Sequence, residues 1–175
     1  TYQRGIDPDS WRKSHNGKKP LWYHFEHNGY RFFMMDTRTD RSPRSAATID
    51  DEDTMLISKE QLAAFEEWLN GCDCEKPAFV VSPSILFPRH QVASGDYPAS
   101  ALNADGWDGY PETMVSVLHF IATHDIAHLV FLSGDEHRAA VATAQVRDVQ
   151  GNTVARFHSV HTAGMFSPYP FANAI

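Results

Sequence analysis

The chain has 175 residues, with 15 Lys plus Arg against 22 Asp plus Glu and a formal charge of −7. Hydrophobic residues make up 42% and charged residues 21%, which excludes a disordered or low-complexity chain and fits a single globular domain over residues 1–175. The acidic balance excludes a general nucleic-acid binder, and no apolar run approaches the ~18 residues of a membrane-spanning helix.

The chain starts at Thr1 with no charged-then-apolar leader, so the expectation is that a leader was removed or that this is a piece of a longer protein. Residues 1–20 are polar and irregular and read as a lead-in loop. Residues 21–27 and 30–35 are aromatic-rich and flank Asn28-Gly29, a strong hairpin signal. Residues 42–53, rich in Ser, Pro, Arg and Asp, read as a loop. Ser58 predicts a helix N-cap, with Gln61 reaching back to it in a capping box. Leu62, Phe65, Trp68 and Leu69 continue at helical spacing, and Gly71 stops the helix. Residues 78–81 are a short, unbroken apolar strand of the doubly buried kind. A long Pro- and Gly-bearing connection, 82–109, follows, of a length that is usually functional or mobile.

Pro111 suits the first turn of a second helix, whose stripe is Met114, Val117, Leu118 and Ile121. A second apolar strand spans 128–132. Residues 139–147 and 154–160 form another hairpin around Gln150-Gly151-Asn152. The tail, 167–171, is irregular. The order is hairpin, helix, strand, helix, strand, hairpin. Helices between apolar strands predict an α/β fold with a mixed sheet, its hairpins adding antiparallel edges or a second sheet.

The sharpest candidate site is Ser133-Gly134-Asp135-Glu136-His137, delivered by a buried strand. Sites in α/β sheets sit where strand C-termini open into loops. Asp135 and His137 project to one side if the segment stays extended, and an O-donor with an N-donor suits Zn, Fe or Mn. The alternative is a turn in which Asp135 caps backbone and His137 is exposed. Asp36 and Arg38 close the first hairpin strand; Arg38 is either a phosphate or carboxylate fork or half of a surface ion pair. Residues 105–111 put Trp107, Asp108 and Tyr110 in a Gly-rich loop, as a binding wall or as a structural turn. The spacing of Cys72 and Cys74 is wrong for a zinc knuckle or redox pair. His119 and His124 do not share a helix face, His158 and His161 fall on opposite faces of a strand, and His90 reads as a solvated loop residue.

The succession Tyr23-x-Phe25, Gly29, Met35-Asp36-Thr37-Arg38, Gln61-x-x-x-Phe65-x-x-Trp68-Leu69, residues 105–111 and Leu132-Ser133-Gly134-Asp135-x-His137 resembles the PhoD-like alkaline phosphatases, within the calcineurin-like metallophosphoesterase superfamily. Residues 168–173 are also similar. The resemblance implies part of a four-layer α/β/β/α sandwich, with mixed sheets and hairpins, that hydrolyses phosphate esters through metal-activated hydroxide. It implies that Asp135 and His137 are catalytic metal ligands, in a segment where the superfamily carries Gly-His-x-His. It also implies that Asp36, Arg38, Trp107, Asp108 and Tyr110 line the substrate pocket. The metals are Fe, Zn, Mn or Ca, as a dinuclear centre in the complete domain.

The superfamily's earlier Asp, Gly-Asp and Gly-Asn-His-Asp motifs are absent, and Ser82-Pro83-Ser84 stands where its middle His is expected. The chain thus looks like the C-terminal half of such a domain, inactive alone, with the N-terminal half or a second copy as partner. A non-catalytic binding or scaffold domain that lost its metal site is the alternative. Family members are often periplasmic or secreted, and a cytoplasmic location is otherwise expected.

Overall fold

The computed structural model describes residues 20–72, 75–87, 97–134 and 139–162. The predicted lead-in loop, the tail, His90, Cys74, Asp135 and His137 lie outside the described residues.

The hairpin strands β1 (Tyr23–His27) and β2 (Tyr30–Met34) pair antiparallel. Asn28 and Gly29 both have positive φ, 52° and 78°, the twist that a two-residue turn needs to match right-twisted strands. Helix α1 (Lys59–Asn70) begins at Ser58, whose hydroxyl accepts the Gln61 amide at 3.2 Å. The capping box is only half formed, because the Gln61 side chain turns away into the core. Gly71 closes the helix as expected, in a right-handed conformation at φ −87°.

Strand β3 (Ala78–Val81) follows, and the described part of the long connection after it holds α2 (Ala99–Asn103) and a single 3-10 turn over Trp107–Gly109. Helix α3 (Pro111–Thr123) starts on Pro111 and buries Thr113, Met114, Val117 and Ile121. The predicted stripe is therefore rotated: Leu118 is only half-buried and the polar Thr113 takes a core position. Strands β4 (Leu129–Ser133), β5 (Ala140–Arg147) and β6 (Thr153–His161) complete one six-stranded sheet in the order β1-β2-β3-β4-β6-β5.

Pairs β2–β3, β3–β4 and β4–β6 are parallel, and both edge pairs are antiparallel. The hairpins are thus edges of one sheet rather than a second sheet. Helices α1 and α3 pack on one face. Phe33 meets Phe65 and Trp68 edge-on at 5.0 and 5.5 Å, and Phe131 and Phe157 join the same core. The opposite face carries Phe25, Phe32, Phe79, Val130, Leu132 and Val160, all half-buried. Phe25, Phe32 and Phe79 stack in a row at 4.8 and 5.0 Å. No helix among the described residues is long and apolar enough to cross a membrane.

Candidate active site at the strand ends

The four parallel strands end at one edge of the sheet. The ladder runs one residue past them, through Met35 N–H to Val81 O (2.9 Å), Ser82 N–H to Leu132 O (2.9 Å) and Thr162 N–H to Ser133 O (3.0 Å). This pairing brings together the segments after β2, β3, β4 and β6.

Asp36 is buried and folds the chain back on itself: one carboxylate oxygen accepts the amides of Arg38 (2.9 Å) and Thr39 (3.0 Å). Burial pushes its carboxyl up, but these amides and the Thr39 side chain outweigh that and hold it below the usual Asp range. The fully buried Gln61 then fixes the Asp36 peptide from α1. Its Oε1 accepts the Asp36 amide at 2.9 Å and its Nε2 donates to the Asp36 carbonyl at 2.8 Å. A buried strand end with no ladder partner needs such a surrogate for both of its backbone groups.

Arg38 and Arg41 leave this turn and share Asp105. Arg38 donates to one carboxylate oxygen, and Arg41 donates to the other at 2.5 Å and to the Asp105 carbonyl at 2.8 Å. Burial raises the Asp105 carboxyl, and the two guanidinium groups more than reverse this. Arg38 and Asp105 are largely exposed, with side chains 43% and 62% accessible, whereas Arg41 is only 17% accessible. Arg41 also donates to the Thr37 carbonyl and, at 3.0 Å, to Ser84 Oγ, which itself bonds the Thr37 hydroxyl at 2.8 Å. One guanidinium therefore ties the segments after β2 and β3 to the loop before the 3-10 turn.

Trp107 is fully buried and donates its indole N–H to Ser82 Oγ at 3.1 Å. Tyr110 is buried, donates to the Ser42 carbonyl at 3.1 Å and lies beneath the Arg44 guanidinium at 4.6 Å. Asp108 is buried beside them. Arg38 is thus the one exposed member of the predicted pocket residues, while Trp107, Asp108 and Tyr110 form the wall's packed interior. At β4 the chain leads through Ser133 and Gly134 toward Asp135 and His137; Ser133 Oγ meets the buried His161 ring at 3.0 Å.

Gln61, Arg41, Arg44 and Asp105 are not among the residues expected at the site. Gln61 was masked by its capping-box spacing from Ser58. Arg41 carries the one available signal, its place three residues after Arg38 on the same turn. Among the described residues no group of three or more His, Cys, Asp or Glu side chains gathers to hold a metal ion. The two expected ligands, Asp135 and His137, lie outside those residues.

Fold and edge together define an open α/β domain whose polar groups and arginine fork collect at the C-terminal ends of parallel strands, the usual place for a ligand site. A family profile described as PhoD-like phosphatase matches residues 9–168, and the chain belongs to that family. It is 28% identical over 138 residues to alkaline phosphatase D of Bacillus subtilis (strain 168), covering 72% of this chain and 22% of that protein. A solved structure titled "Structure of PhoD" superposes with a TM-score of 0.62 at 20% identity, over 82% of this chain and 29% of the other, and shares the fold. The chain spans less than a third of the length of either relative.

Proposed function

We propose that this chain is the C-terminal part of a metal-dependent phosphatase domain acting on phosphate esters. Family membership over residues 9–168 carries the reading. The edge geometry supports it, because Arg41 and Asp105 hold the loop in place beside the exposed Arg38, whose guanidinium suits phosphate oxygens. Asp135 and His137 come soon after β4 in the sequence and serve as metal ligands, with the remaining ligands coming from an upstream half or a second copy. Bound Fe, Zn, Mn or Ca would supply Lewis-acid polarisation of the phosphoryl group. The half-buried aromatic face of the sheet is then the inner face of a sandwich, covered by the sheet of the upstream half.

The test compares hydrolysis of p-nitrophenyl phosphate and its bis-ester by the pure 175-residue chain and by a protein extended upstream in its own reading frame. Metal content is measured on both by inductively coupled plasma mass spectrometry. The expected result is negligible turnover by the chain, and turnover by the longer protein that Asp135→Ala or His137→Ala abolishes together with bound metal. Strong turnover by the chain alone overturns the incomplete-domain reading. A metal-free, inactive longer protein turns the reading to a binding or scaffold domain.

A further inference from the structure

A cavity of about 230 Å³ lies at the other end of the sheet, where the parallel strands begin. Glu26 of β1, Arg31 of β2, Gly71 after α1 and Lys76 before β3 line it. Arg31 is five residues from Asp36, which at ~3.3 Å per residue puts the cavity roughly 16 Å from the strand-end site. We propose that it binds a small oxyanion of the phosphate class, independently of the phosphatase reading.

The Arg31 guanidinium is held in place from two sides. It lies over the Trp68 ring at 5.5 Å, and it rests so closely on Gly71 that a Cβ there would stand 2.7 Å from Nη1. That Nη1 is buried and has no hydrogen-bond partner among the described residues. A buried charged donor left unmade is costly, so the site calls for an acceptor, and the planar fork matches an oxyanion. Lys76 brings a second cation; its Nζ comes within 3.0 Å of where a Cβ on Gly29 would lie. Glu26 opposes Arg31 in the β1–β2 register and lines the same cavity, leaving a net charge of one positive unit among these three. Burial pushes the Cys72 thiol up, although the Arg31 side chain that it hydrogen-bonds pulls the other way, so the thiol adds no negative charge here. The cavity is smaller than the ~300 Å³ lower bound for drug-sized ligands, which favours a compact anion.

Arg31 also lies beside the C-terminal end of α1, where a cation is favoured, and a purely structural role is the competing account. Isothermal titration of the 175-residue chain with sodium phosphate at constant ionic strength separates the two. Saturable one-to-one binding is expected. Arg31→Gln abolishes it, Lys76→Gln weakens it several-fold, Glu26→Gln tightens it several-fold, and Arg38→Ala leaves it unchanged. Lys76 and Glu26 are exposed, so their variants keep the test decisive should Arg31→Gln fail to fold. No saturable binding up to about 10 mM phosphate, well past a millimolar Kd, overturns the proposal. So does binding that Arg38→Ala removes, or binding indifferent to both Lys76→Gln and Glu26→Gln.

Discussion

Replacing Gln61 with Leu isolates the contact that fixes the turn after β2. The side chains are similar in size and the position is fully buried, so packing changes little. What changes is that the Asp36 amide and carbonyl, bonded at 2.9 and 2.8 Å, both lose their partner inside the core. Each buried backbone group left unsatisfied costs about 1–3 kcal/mol, and the greater apolarity of Leu returns about 1 kcal/mol, so the net loss is about 3 kcal/mol. Urea unfolding of the 175-residue chain, followed by tryptophan fluorescence, measures it. The midpoint should fall while the exposed neighbour Glu60→Ala stays within about 0.5 kcal/mol of the parent. The Asp36 amide should also lose hydrogen-exchange protection in Gln61→Leu. A loss under about 1 kcal/mol with Asp36 still protected would refute the claim that Gln61 holds this turn.

Other expectations follow from the same contacts. Arg44 donates to the carbonyls of Ala101, Leu102, Ala104 and Gly109 at 3.2, 3.1, 2.5 and 2.6 Å, so Arg44→Met should cost about 2–4 kcal/mol and admit proteolytic cleavage within 97–110. Gly109→Ala should be similarly damaging, because the new Cβ would stand 1.6 Å from Arg44 Nη1 and 2.7 Å from the Ala104 carbonyl oxygen; an unchanged unfolding midpoint would contradict this. Asp36 has a folded pKa below its unfolded value of about 3.9, so its charge stabilises the fold above that pH and the contribution fades as pH falls through the lower folded value. The difference in stability between the parent and Asp36→Asn should therefore shrink on acidification below about pH 4. A difference constant from pH 7 to pH 2 would remove the role of the charge.

The elements were legible in the sequence because their signals are local. Asn28-Gly29 specifies a turn with two positive φ angles, Pro111 opens a helix, and apolar runs at 78–81 and 128–132 leave no option but burial in a sheet. The connection 82–109 was less legible. Its helix α2 is only five residues long, too short to show a period, and Arg44, 57 to 60 residues away in sequence, caps the carbonyls at its end.

What the sequence determined by itself was the order of strands and helices and, through the spacing of short motifs, the family resemblance, since both depend on neighbours within a few residues. Tertiary structure alone decided that both hairpins are edges of one sheet, because pairing across β4 and β6 is set between distant segments. It also decided that Gln61 is a core clamp rather than a cap, because a buried amide bonds whatever backbone lacks a partner, here a peptide 25 residues away. Likewise it drew Arg38 and Arg41 onto Asp105, more than 60 residues on, since a carboxylate finds its cations through space and not along the chain.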